Sequence, residues 1–181
     1  GNRVSATLSI NTAFGAGLVA EGTGVLLNNE MDDFASLAGA MNTYGLVGGA
    51  ANAIAPGKRM LSSMPPTFLE TPERVAVLGA PGGSRIIAMV ILGVLDFAKG
   101  NDPESWVKLP RFHHQFMPDV LEYEPGALSQ DEIGKLTSLG HHLKPSKRPY
   151  GDMQAVQLNK QTKKLNAASD PRGEGKAQVS P

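Results

Sequence analysis

Residues 74–98 read Arg-Val-Ala-Val-Leu-Gly-Ala-Pro-Gly-Gly-Ser-Arg-Ile-Ile-Ala-Met-Val-Ile-Leu-Gly-Val-Leu-Asp-Phe-Ala. The short apolar run Arg74–Leu78, bounded by turn residues, predicts a strand. Gly79–Arg85 supplies dense glycine and proline punctuation. From about Ser84 to Ala98 the side chains are apolar on nearly every side, which predicts a helix buried all round. A strand feeding such a helix through a tight turn needs a sheet for the helix to lie on.

Working toward the C-terminus, Asp102-Pro103-Glu104 places proline at the first position of a second helix. Ser129-Gln130-Asp131-Glu132 has the form of a capping box, and Gly140 is a suitable stop. Met153–Leu158 and Lys164–Ala168 read as a closing pair of strands. Beyond Asp170 the chain turns polar, so residues 1–170 are expected to form the domain and residues 171–181 a flexible tail.

Toward the N-terminus, Arg3–Ile10 alternates. Val4, Ala6, Leu8 and Ile10 share one face, Ser5, Thr7 and Ser9 the other. Period two predicts a strand with its apolar face on a core, and it points Ser9 and Asn11 the same way. Gly1-Asn2-Arg3 reads as a turn entering that strand, with an earlier strand expected upstream. Gly24–Asn28 predicts another short strand, followed by an acidic group, Glu30, Asp32 and Asp33. Ala35–Gly49 is small and glycine-rich, a long loop of the kind that is usually functional. Lys58–Thr67 is irregular and carries Ser62-Ser63. Strands, an irregular middle and helices without a βαβ rhythm predict an α+β fold, with helices packed on antiparallel sheet.

Composition excludes several classes. Seventeen basic residues balance seventeen acidic ones, with no basic stripe, so no nucleic-acid partner is expected. Absence of cysteine removes disulfides and thiolate chemistry. The longest apolar run, Ile86–Leu95, falls short of the roughly 20 residues that span a bilayer. His113-His114 and His141-His142 lack a nearby acidic residue in a familiar ligand spacing, and no metal or cofactor is expected.

Three places could carry chemistry. The Gly82-Gly83 pair can aim backbone N–H groups at an anion from a helix N-terminus, including the oxyanion of acyl transfer; alone, it reads as well as a tight turn. Glu30, Asp32 and Asp33 can hold an ammonium or form a solvated loop. Ser62 and Ser63 can donate to a carboxylate or serve a turn.

Read together, these signals make one pattern. Leu26-Leu27-Asn28-Asn29-Glu30-Met31-Asp32-Asp33-Phe34, Tyr44-Gly45-Leu46-Val47-Gly48-Gly49, Lys58-Arg59 with Leu61-Ser62-Ser63-Met64, Pro81-Gly82-Gly83-Ser84-Arg85-Ile86-Ile87, Pro110-Arg111-Phe112-His113-His114-Gln115 and Ser169-Asp170-Pro171-Arg172 follow one another in order. Over residues 1–172 the chain resembles the small subunit of γ-glutamyltransferases (γ-glutamyltranspeptidases).

The resemblance implies an N-terminal-nucleophile hydrolase, a four-layer αββα sandwich of which this is the small-subunit half. Its precursor cuts itself and frees an N-terminal threonine, here expected about ten residues, one strand length, before Gly1. That threonine would take the γ-glutamyl group of glutathione or another γ-glutamyl compound as an ester, with its own α-amine as base. Water, an amino acid or a peptide would then accept the group.

On this chain the resemblance implies that Ser9 supports the nucleophile and that Asn11, Glu30 and Asp33 hold the substrate's α-ammonium. Ser62 and Ser63 would hold its α-carboxylate, helped by an arginine of the large subunit. The N–H groups of Gly82 and Gly83 would form the oxyanion hole. Tyr44 would close a lid loop by bonding to Asn11. An extracytoplasmic location and a heterodimer with the large subunit are implied as well.

The chain departs from the family pattern at Glu30, often glutamine, and at Ala50, Met60, Pro65 and Ala80. It also lacks prolines over Ala35–Thr43. Two alternatives follow from the same pattern: an amidase like the cephalosporin and glutaryl acylases, or a ligand-binding relative without catalysis.

Overall fold

The computed structural model describes residues 1–37 and 39–180. They form two compact units: Gly1–Thr7 with the chain from Ser63 onward, and Leu8–Ser62.

The first unit is built on a four-stranded antiparallel sheet in the order β1 (Thr67–Glu70), β2 (Arg74–Gly79), β6 (Gln154–Asn159), β7 (Leu165–Ser169). The predicted strand at Arg74 and the predicted closing pair are therefore neighbours in one sheet. A 3-10 turn, Gly83–Arg85, leads into α1 (Ile86–Ala98), and α2 (Pro103–Lys108) follows. Asp102 caps α2 by accepting from the Ser105 N–H at 3.1 Å, with proline at its start.

The core lies where α1 and α2 cover the sheet. Leu78, Ile86, Met89, Trp106, Val107 and Met153 are all buried there. Gly93 faces the sheet: a Cβ on it would meet the Leu78 and Met153 side chains at 3.6 Å, an ordinary contact. Phe97 meets Trp106 edge-on, and the Arg74 guanidinium lies over the Phe97 ring at 4.0 Å. Each large side chain buried here contributes roughly 1.5–3 kcal/mol.

A second sheet is small: β3 (Phe112–His113), antiparallel to β4 (Leu121–Tyr123), which pairs in parallel with β5 (Leu143–Pro145). Between β4 and β5 runs α3 (Gln130–Ser138), which starts with the capping box predicted at Ser129 and Glu132. At its end Gly140 adopts a positive φ of 91°. None of the described helices is long and apolar enough to cross a membrane.

Three expectations are corrected. Arg3–Ile10 joins no sheet among the described residues, and its apolar face is not the buried one. Val4 is 81% and Leu8 94% exposed, while Ser5 and Thr7 are half-buried. Alternation fixes the period of an extended segment but not which face meets protein. Here a hydroxyl reaches the sheet: Thr7 Oγ1 lies over Gly79, 3.4 Å from where a Cβ there would sit.

Second, Gly24–Asn28 is reduced to a single bridge, Val19↔Leu26, around a turn with positive φ at Gly22 and Gly24. Third, α1 is buried on one side only. Ile87, Ile91 and Leu95, spaced one turn apart, stand about half exposed, because the sheet covers only one face of the helix.

The second unit, Leu8–Ser62, contains two short 3-10 turns, Glu30–Asp33 and Ala50–Asn52, and isolated bridges Ala35↔Ala53 and Met41↔Val47. Its small core holds Phe34 and Ala35. Gly48 packs on Ala35 so closely that a Cβ there would fall 2.4 Å from Ala35 Cβ. Ala38, inside the long loop read from the sequence, lies outside the described residues, as does Pro181 at the end of the polar tail.

Candidate active site

In the second unit the acidic stretch folds into the 3-10 turn Glu30–Asp33. Side chains three apart eclipse each other in such a turn, so Glu30 and Asp33 stack on one side. Burial raises Asp33 above the usual carboxylate range, and the facing Glu30 carboxylate adds to the rise by charge and hydrogen bond, with Asp32 contributing charge. Two stacked carboxylates that resist sharing full charge make a place that gains from a bound cation.

Asn11 lies beside them in a left-handed conformation, φ 71°, which Asn tolerates better than most residues. Its N–H donates to Ser9 Oγ at 2.7 Å, and its side-chain amide donates to the Asn29 carbonyl at 3.1 Å. Ser9 Oγ thus accepts from Asn11 and keeps its own proton to donate. The Tyr44 hydroxyl donates to the Asn11 carbonyl at 2.9 Å, which pins the Tyr44 loop to this turn. Burial, then the charges of Asp33 and Glu30, push the Tyr44 hydroxyl above its ordinary pKa, so it stays a donor.

Ser9, Asn11, Glu30, Asp33, Tyr44 and Ser62 therefore belong to this unit. Ser63, Gly82 and Gly83 belong to the first.

Asparagines do much of the holding, and sequence reasoning missed them. Asn29 accepts from the Thr12 N–H and hydroxyl, both at 3.1 Å, and donates to Asp32 at 2.8 Å. Asn42 donates to Asp33 Oδ1 at 3.5 Å and accepts from the N–H groups of Tyr44 and Leu46 at 3.0 Å. A cavity of about 210 Å³ opens beside Asp32 and Asp33, lined also by Met41, Asn42 and Ile54.

In the first unit, Gly82 and Gly83 adopt φ of 142° and 58°, conformations that side chains disfavour. A Cβ on Gly82 would also come within 2.9 Å of Met89 Cε. Among the described residues no side chain caps the helical start that follows, so the turn presents the positive end of α1. A glycine turn at a helix start of this kind can offer backbone N–H groups to an anion.

Behind the turn, Ser84 Oγ donates to Gln115 Oε1 at 2.7 Å. His113 Nε2 lies 2.8 Å from the same oxygen and so acts as a donor. Burial lowers the His113 pKa, keeping the ring neutral near pH 7. The motif Pro110–Gln115 thus braces the glycine turn, a role its sequence did not disclose.

A buried ion network joins the remaining motifs. Arg111 pairs with Asp170 and also donates to the Tyr150 carbonyl; Arg111 is 1% and Asp170 2% exposed. Arg172 grips Glu124 at 2.8 Å and Asp170 at 3.1 Å, and donates to the Val107 and Leu109 carbonyls at 3.1 Å. Burial by itself would raise Asp170. Hydrogen bonds from the Met153 N–H, Arg111 and the Arg172 N–H outweigh it and hold the carboxyl below its usual range.

The family described as gamma-glutamyltranspeptidase matches residues 1–180. Over 174 residues the chain is 44% identical to the glutathione hydrolase proenzyme of Escherichia coli, covering 95% of this chain and 30% of that protein. It is 43% identical to the glutathione hydrolase proenzyme of Pseudomonas aeruginosa over 181 residues, covering 97% and 32%. The chain therefore spans about a third of the length of these relatives. The structure is similar to that of the gamma-glutamyltranspeptidase from Pseudomonas nitroreducens complexed with L-DON, with TM-score 0.89 and 43% identity over 100% of this chain and 95% of that one.

Proposed function

Because the chain belongs to the γ-glutamyltranspeptidase family, whose members share the N-terminal-nucleophile hydrolase fold, we propose that it is the small-subunit part of an enzyme that transfers or hydrolyses γ-glutamyl groups. Glutathione is the proposed natural substrate, and the partner is the large subunit cut from the same proenzyme. The observation that carries this reading is the Asn11–Glu30–Asp33 group closed by the Tyr44 hydroxyl bond, where two carboxylates on one side of a turn favour a bound cation.

In this reading Glu30, Asp33 and the Asn11 side chain hold the substrate's α-ammonium. Ser62 and Ser63 donate to its α-carboxylate, with an arginine of the large subunit as counter-charge. The attacking threonine belongs to the full protein, upstream of Gly1. Its amine takes the hydroxyl proton while the oxygen forms a bond to the γ-carbonyl carbon. Negative charge then gathers on the carbonyl oxygen, where the N–H groups of Gly82 and Gly83 stabilise it. As the C–N bond breaks, the proton passes to the leaving amine. Water or an amino acid or peptide acceptor repeats the steps on the ester. Ser9 steadies the threonine by hydrogen bond. An extracytoplasmic location is part of the same proposal and rests on the resemblance alone.

N-terminal sequencing and intact mass of the protein matured from its complete gene test the reading. The expected small subunit begins at threonine; an uncleaved chain with no hydrolysis of γ-glutamyl anilide would sink it. Equal turnover of γ-glutamyl and glutaryl anilides would instead favour the acylase alternative. In the mature enzyme, Asp33→Ala removes a charged hydrogen-bond partner worth about 1.5–3 kcal/mol. Its Michaelis constant for γ-glutamyl anilide should rise steeply, and an unchanged value would remove Asp33 from the site.

A further inference from the structure

Asn52 ends the 3-10 turn Ala50–Asn52 and is half-buried. Its side-chain Nδ2 donates to the Asp33 carbonyl at 2.6 Å, while Oδ1 accepts from the Leu61 N–H at 3.0 Å. Its own backbone carbonyl accepts from the Ala35 N–H at 3.0 Å, and its N–H donates to Gly49 at 3.0 Å. Every polar group of this residue is thus engaged, and both amide atoms hold backbone rather than side chains. One bond fixes Asp33 itself. The other fixes the residue directly before Ser62.

The α-carbon of a γ-glutamyl group carries the ammonium and the carboxylate together. Their two holders must therefore stand at one fixed spacing. A rigid planar amide that donates to one segment and accepts from the other sets such a spacing. We propose that Asn52 is a positioning residue, whose amide keeps the ammonium-holding turn at Asp33 and the carboxylate-holding segment at Ser62 in register. This inference rests on the function proposed above. In this role Asn52 acts through the backbone it holds.

The test uses the mature enzyme from the complete gene and three p-nitroanilides. The γ-glutamyl anilide carries both handles. The glutaryl anilide lacks the ammonium, and the 4-aminobutyryl anilide lacks the carboxylate. In Asn52→Ala, kcat/KM for the γ-glutamyl anilide should fall by on the order of 10- to 100-fold, mainly through KM, the scale of a misplacement of about 1 Å. The two single-handle anilides should change by no more than about twofold, within the error of additivity. Asn52→Gln keeps the amide on a longer arm. It should show the same selective loss, and it decides the matter if the alanine variant fails to mature. Equal losses on all three substrates, with the wild type normal, would reduce Asn52 to a general structural role and overturn the proposal. A wild type that does not prefer the γ-glutamyl anilide would remove the functional reading, and the positioning role with it.

Discussion

At the scale of single residues, the stacked pair Glu30 and Asp33 is the most informative chemistry in the chain. Glu30 raises the Asp33 pKa by charge and by hydrogen bond, after burial. Asp33 must be ionised to hold an ammonium, so the acid limb of kcat/KM should sit above the ordinary carboxylate range. Glu30→Gln removes the Glu30 charge and offers an amide N–H to the ionised Asp33, so it should move that limb to lower pH, while the loss of one charge weakens binding somewhat. A pH–rate profile of the mature variant checks this; an unmoved limb would mean that another group sets it. The acidic triplet was legible in the sequence, since Glu30 and Asp33 fall three apart in a stretch too polar for a core. Asn29, Asn42 and Asn52 were not. Asparagine in a loop reads as turn chemistry, and the partners that make these side chains more than turn residues, Thr12 for Asn29, Asp33 for Asn42, and Asp33 and Leu61 for Asn52, lie 9 to 19 residues away.

Elements were legible where local chemistry marks their ends. The Pro81-Gly82-Gly83 punctuation before α1, the Asp102 cap and the Ser129 capping box each settle a boundary without tertiary help. β3, β4 and β5 escaped notice because two or three residues are too few to show a period. What holds that region is the network of Arg111, Glu124, Asp170 and Arg172, which links the start of β3 and the end of β4 to the chain just beyond β7. Asp170 has a depressed folded pKa, so its contribution to stability is present above the unfolded value, about 4. It is lost as pH falls through the folded one. Asp170→Asn leaves Arg111 buried without its counter-charge and should cost about 3–5 kcal/mol. Thermal unfolding of the mature enzyme should show that loss at neutral pH, and a gap that narrows in acid. A variant as stable as the wild type at neutral pH would show that the pair contributes nothing net.

For the chain taken whole, the exposed apolar surfaces all have one character. Val4 and Leu8 on the N-terminal segment, Phe14 and Leu18 in the second unit, and Ile87, Ile91 and Leu95 on α1 are apolar and exposed. Sequence patterning named Val4, Leu8 and the α1 stripe as core, and it did so on sound periodicity; it made no assignment for Phe14 or Leu18. A pattern records every surface a side chain is meant to cover, including surfaces contributed by other chains. The 181 residues also carry a net charge of zero at pH 7, which removes the repulsion that keeps separate molecules apart. Purified by itself, this chain should bind a hydrophobic dye, associate at micromolar concentration and melt without a sharp transition. Produced with the rest of its precursor, the same residues should become protected from hydrogen exchange along α1 and the N-terminal segment and should unfold in one cooperative step. A lone chain that stays monomeric and melts sharply and reversibly would mean that these apolar faces need no partner.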